Sequence, residues 1–141
     1  MIVVDASLAA KWILVEADSD RAAALLEEHR RRMLAPDLIA VEVAGSFVRR
    51  ANSDKSLGQT MRRAMEQWSG LLYSDMLQLR RSSVEQVGRA ATLAIDIGHP
   101  LKDCLYLVLA IDANCPLVTC DSKFAEKARP RYSDIRLLGD V

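Results

Sequence analysis

Four acidic residues, Asp5, Glu42, Asp103 and Asp121, stand where an isolated carboxylate is out of place or where a ligand site would put one. Asp5 follows the apolar run Ile2-Val3-Val4, and Asp121 follows Leu117-Val118-Thr119-Cys120, so the pattern of apolar strand and then acid occurs twice. Glu42 interrupts an apolar helical stretch whose nearest residues at helical spacing are Leu38, Ile39, Gly45 and Ser46. Asp103 opens the run Cys104 to Ile111, in which every residue is apolar or aromatic. A carboxylate in such surroundings is costly unless it is paired, solvated or bound to a cation. Several carboxylates packed together hold on to protons more tightly unless a cation neutralises them. An all-oxygen donor set favours Mg²⁺ or Mn²⁺ over zinc. Each acid also has a plainer reading. Asp5 and Asp121 are good helix N-caps, Asp103 is a favourable first-turn acid, and Glu42 can reach water from a boundary position. It is the conjunction that points to a metal centre.

Ser7 is a second candidate cap for the first helix, which would leave Asp5 free to face outward. Asp96 and Asp112 fall near helix C-terminal ends and read as solvated surface acids. His29 lies beside a basic run and His99 precedes Pro100. Neither has zinc-site spacing, and both read as surface residues, so no histidine base is expected near the acids. Paired arginines recur at 31–32, 49–50, 62–63 and 80–81, and each pair is equally a solvated helix face. Arg49 and Arg50 lie two turns beyond Glu42, and Lys11 lies one turn into the first helix near Asp5. These are the preferred phosphate contacts. A phosphotransfer site built on Asp5 would need a second acid beside it, and Ser7 stands there instead.

The elements that must position these residues alternate between strand and helix, which predicts an α/β fold with a mostly parallel sheet of four to five strands. Strands are expected at 2–4, 33–35, 76–79, 115–119 and, as an edge strand, 135–138. Helices are expected from Ser7 to about Glu16, from Asp18 or Ser19 to the basic run at 30–32, from Asp37 through Val48, over 59–72, from Ser82 or Ser83 to Gly98, over 101–113 and over 124–129. Residues 52–58 are polar and read as a loop. Met61, Met65, Trp68 and Leu72 share one helix face, which suits core packing, and part of it suits a groove for a partner helix. In such a sheet, positions just past strand C-termini gather at one edge, where ligands bind.

Half of the residues are hydrophobic and about a quarter are charged, so the composition is globular and not disordered. The length suits a single domain over residues 1–141. The formal net charge is zero, which excludes a global attraction to nucleic acid or to anionic membrane. Cys104, Cys115 and Cys120 lack metal-site or disulfide spacing and read as reduced core residues of a cytoplasmic protein. No leader peptide is expected, and the longest apolar run is too short to span a bilayer.

Across nearly its whole length the chain resembles the PIN-domain ribonucleases, and among them the VapC-type toxins of toxin–antitoxin pairs. The carriers are Val3-Val4-Asp5-Ala6-Ser7, Pro36-Asp37-Leu38-Ile39-Ala40-Val41-Glu42-Val43, Asp103 with Leu105-Tyr106-Leu107 and Leu109-Ala110, and Leu117-Val118-Thr119-Cys120-Asp121. The resemblance implies a three-layer α/β/α fold. It implies a Mg²⁺- or Mn²⁺-dependent endoribonuclease acting on RNA of the tRNA or rRNA class. Asp5, Glu42, Asp103 and Asp121 would then be the catalytic, metal-holding acids, with Ser7 and Thr119 supporting them by hydrogen bonds. It also implies a homodimer and a cognate antitoxin that inhibits the enzyme. Lys102 departs from the family, which more often has tyrosine, leucine or a small residue before the third acid. It could contact a phosphate or pair with a site carboxylate. Cys104 follows that acid where alanine or serine is usual. A non-catalytic binding module on the same scaffold, acting through antitoxin or RNA contacts, is the competing expectation.

Overall fold

The computed structural model describes residues 1–141. Strands β1 (Ile2–Val4), β2 (Met33–Pro36), β3 (Leu77–Arg80), β4 (Leu117–Thr119) and β5 (Ile135–Leu137) form one sheet in the order β3-β2-β1-β4-β5. Every neighbouring pair is parallel, with Val3 opposite both Leu34 and Leu117. The three central strands are buried at every position, as a sheet covered on both faces requires. The edge strands β3 and β5 carry exposed Arg80 and Arg136.

The helices are α1 (Ala6–Ala9), α2 (Ser19–Glu28), α3 (Ile39–Ser53), α4 (Gly58–Tyr73), α5 (Val84–Ile97), α6 (Leu101–Ala113) and α7 (Ser122–Ala128). The crossovers β1→β2→β3 run one way along the sheet, and β3→β4→β5 run the other way. Right-handed connections therefore put α1 to α4 on one face and α5 to α7 on the opposite face. This is the expected three-layer arrangement. In agreement, α3 packs on α4, α5 packs on α6, and α6 lies over β1, β2 and β4. No helix is long and apolar enough to cross a membrane.

Local chemistry explains most boundaries. Ser83 and Gln86 form a reciprocal cap at the start of α5, and Gly98, at φ 66°, ends it in the left-handed region. Asn114 ends α6 in the same way. Two expectations differ. The first helix stops at Ala9 and continues as a 3₁₀ turn over Ala10–Trp12, and Asp5, not Ser7, caps it. Residues 52–58 are not an open loop, because α3 runs to Ser53 and a 3₁₀ turn covers Lys55–Leu57. Asp54 makes that possible by accepting the Ser56 N–H at 3.1 Å.

Trp68 and Met61 of the predicted apolar stripe are buried, whereas Met65 is exposed beside Val48 in a groove between α3 and α4. The Trp68 indole N–H donates to the Ala40 carbonyl at 3.2 Å and pins α4 to the first turn of α3, two residues before Glu42. Cys104 and Cys115 are buried free thiols. Cys120 is only partly buried and is not a core residue.

Candidate active site

The sheet order reverses between β1 and β4, because the chain leaves β1 toward one face and β4 toward the other. Such a divergence opens a crevice beyond the strand ends. Asp5 leaves β1 there as the N-cap of α1, and Asp121 leaves β4 as the N-cap of α7. Glu42 and Asp103 stand in the first turns of α3 and α6. All four carboxylates line one cleft of about 430 Å³.

Asp5 is the most enclosed of the four, with 6% of its surface exposed. Its Oδ1 accepts the Leu8 N–H at 3.1 Å and the Ser7 hydroxyl at 2.7 Å, while its Oδ2 accepts the Thr119 hydroxyl. Thr119 Oγ1 in turn accepts the Asp121 N–H at 3.0 Å, and Ser7 Oγ accepts the Cys120 N–H at 3.2 Å. Ser7 and Thr119 therefore tie the ends of β1 and β4 together and hold both strand-end acids. Burial pushes the Asp5 carboxyl up to about 6 despite these donors, and the charge of Asp103 adds to the rise.

Glu42 Oε1 accepts the Tyr106 hydroxyl at 2.8 Å, and its Oε2 lies 3.4 Å from Lys102 Nζ. Tyr106 is 1% exposed, and burial, reinforced by the Glu42 charge, raises its phenol well above the usual range. It therefore stays a proton donor to Glu42. Tyr106 follows Asp103 by three residues on α6, so one helix supplies an acid and the clamp for another.

Lys11, Arg49, Arg50 and Lys102 line the same cleft, as does Glu16, which the sequence did not single out. Glu16 lies 3.4 Å from Lys11 Nζ and 2.5 Å from Arg50 Nη2, so it holds two of the predicted phosphate contacts together. Lys11 also donates to the Ala17 carbonyl at 2.8 Å. Arg49 makes no ion pair. Glu16 approaches Arg50 from 34 residues away, and nothing local in the sequence signals that meeting.

The expectation that both histidines are surface residues fails at His99. Its side chain is 9% exposed, and its Nε2 lies 2.7 Å from Asp103 Oδ2 and 4.0 Å from Asp121 Oδ2. The spacing of four between His99 and Asp103 was the signal available in the sequence. The packing of Phe124 over the imidazole, with ring centroids 4.8 Å apart, was not. His29 is partly buried at the end of α2 and does not line the cleft. Asp112 pairs with Arg89, and Asp96 with Arg131, away from the cleft.

The donor set fits a hard divalent cation. His99, Asp103 and Asp121 offer ligand atoms all within 4.8 Å of one another, and the remaining donors are carboxylate oxygens. The Cys120 thiol also lines the cleft, but burial, with the Asp5 charge, pushes it up to about 11. It is not the thiolate that would select a soft metal.

Residues 2–130 match the family model of the PIN domain. Among solved structures, VapC20 of Mycobacterium tuberculosis, described as a sarcin–ricin loop cleaving toxin, superposes with a TM-score of 0.72 at 14% identity, covering 89% of this chain and 94% of that one. PAE2754 from Pyrobaculum aerophilum superposes with a TM-score of 0.70 at 16% identity, covering 98% and 89%. At these identities the likeness is one of fold. No curated protein sequence matches the chain.

Proposed function

This chain belongs to the PIN domain family, and from that premise we propose that it is a Mg²⁺- or Mn²⁺-dependent endoribonuclease, the toxin of a toxin–antitoxin pair. The observation that carries this reading is the meeting of Asp5, Glu42, Asp103 and Asp121 in one cleft, from four separate elements. These four would hold the ion, with Ser7 and Thr119 fixing Asp5 and Tyr106 fixing Glu42. A divalent cation there supplies Lewis acidity at the scissile phosphate and offsets the crowded negative charge. Arg49, Arg50, Lys11 and Lys102 would orient the RNA backbone across the cleft.

The substrate class is structured RNA, transfer or ribosomal. The fold shared with VapC20, whose description names the sarcin–ricin loop, supports that class. The protein works in the cytoplasm as a homodimer until a cognate antitoxin inhibits it. The groove between α3 and α4, lined by Phe47, Val48, Ala51, Met61 and Met65, suits an amphipathic helix of that antitoxin.

The test is cleavage of total cellular RNA by the purified chain in Mg²⁺ or Mn²⁺ and in chelator. Cleavage that needs the ion, leaves 5′-phosphate ends and vanishes in Asp103→Asn is expected. A chain that cuts no RNA with either ion, yet binds a partner protein encoded beside it, would be the non-catalytic module instead.

A further inference from the structure

The link from α5 to α6 is three residues long, Gly98-His99-Pro100, and it is fixed on every side. Gly98 turns through the left-handed region and Pro100 caps α6. The His99 N–H donates to the Ala94 carbonyl at 3.0 Å, and Lys127 Nζ donates to the Gly98 carbonyl at 2.9 Å. The imidazole is then wedged against Phe124 of α7, with Nε2 aimed between Asp103 and Asp121. Nδ1 is buried and has no hydrogen-bond partner.

Two roles are open to a histidine so placed, and the hydrogen bonds separate them. As a metal ligand through Nε2 it would carry its proton on Nδ1. That would leave a buried N–H with no acceptor, which costs more than an unfilled acceptor lone pair. Ligating histidines commonly give that second N–H to a carboxylate or a carbonyl, and no such protein group is in reach here. With the proton on Nε2, His99 donates to Asp103 Oδ2 at 2.7 Å and leaves only an acceptor unfilled.

We propose that His99 is a positioning residue: an Nε2–H donor that fixes Asp103 beside Asp121 for the cation without ligating it. The inference rests on the reading of the cleft as a divalent-cation site. It assigns His99 the part that Ser7 and Thr119 play for Asp5 and Tyr106 plays for Glu42.

The chain has two histidines, so long-range ¹H–¹⁵N spectra of the rings resolve both, and a His29→Asn variant assigns them. His99 is expected as the Nε2–H tautomer in the metal-free protein and again in saturating Mg²⁺. A switch to Nδ1–H on adding Mg²⁺ would make it a ligand and overturn the proposal. Calorimetric titration with Mn²⁺ gives the second readout. His99→Leu, which keeps an apolar contact for Phe124, should bind Mn²⁺ about tenfold or more weakly. His99→Gln, whose amide can donate from the place of Nε2, should stay within about threefold, and KM for RNA should not change in either. Wild-type Mn²⁺ affinity in His99→Leu would reduce the residue to packing and overturn the proposal. If the wild-type chain binds neither ion and cuts no RNA, the cation reading falls. The metal-free spectrum would then show whether His99 still donates to Asp103, which tells the two failures apart.

Discussion

Asp5 sets the pH behaviour of the metal-free protein. Its carboxyl titrates near 6 when folded, against 3.8 for the free group. The folded state thus holds a proton that the unfolded chain releases at lower pH, so stability falls as pH rises from about 4 to about 6 and is flat beyond. The shift corresponds to on the order of 3 kcal/mol. Asp5→Asn removes this penalty at neutral pH, though it weakens the bond from Thr119. In chelator at pH 7.5 the variant should melt a few degrees above wild type, and it should not share the wild type's decline in stability between pH 4 and 6. Saturating Mg²⁺ should raise the wild-type melting temperature and leave Asp5→Asn unmoved. Calorimetric melts in chelator from pH 4 to pH 7.5 decide this, and a variant less stable than wild type at pH 7.5 would contradict it. The sequence placed Asp5 at a strand end correctly because the strand is a plain apolar run. It left the cap open between Asp5 and Ser7, because which of these two nearby side chains turns back to the Leu8 N–H depends on Thr119, 114 residues from Asp5.

Two connections between elements control what the cleft can do. Gly98 ends α5 at φ 66°, where a Cβ would meet nothing within 4 Å, so Gly98→Ala suffers backbone strain alone. A loss of about 1 kcal/mol is expected, a few degrees in melting temperature, and Gly98→Asn should recover part of it because asparagine tolerates that region. Denaturant melts of the three proteins check the order Gly, Asn, Ala. The second connection follows the short first helix, where Glu16 reaches across to Arg50 of α3 and back to Lys11. Glu16 occupies the place that an RNA phosphate would take between these two cations. Glu16→Gln should therefore tighten RNA binding several-fold. Fluorescence anisotropy in the Asp103→Asn background, where the substrate survives, is the measurement. Unchanged or weaker binding would show that Glu16 positions the cations and does not compete for them. Helix and strand periods made most of these elements legible, since α6 and α4 carry unbroken apolar patterns. The 3₁₀ turn at Lys55–Leu57 was not legible, because a short polar stretch reads as loop whether or not Asp54 folds it back, and the early end of α1 was not, because the apolar residues at helical spacing run on through Trp12 and Val15.

At the scale of the molecule, the sheet order explains why four weak sequence signals converge. Two acids end β1 and β4, the strands on either side of the reversal, and two begin the helices that flank it. The apolar strand runs made that convergence readable from sequence, while the pairing state of the surrounding cations was not, since it depends on side chains meeting across the cleft. Formal neutrality gives the protein no long-range pull on RNA, so affinity must come from local cations. Of the four in the cleft, Lys11 and Arg50 are already compensated by Glu16 and Lys102 lies against Glu42, which leaves Arg49 as the one with no ion pair. Removing a cation whose charge is already offset should change counterion release little, whereas removing a free one should change it by a full contact. Arg49→Ala is therefore expected to flatten the dependence of log K on log salt by about 0.7 for a single-stranded segment. Lys11→Ala should flatten it by clearly less, and the Glu16→Gln background should bring the two variants closer together. Equal slopes for Arg49→Ala and wild type, measured by anisotropy from low to moderate salt in the Asp103→Asn background, would place the RNA path on another face of the molecule.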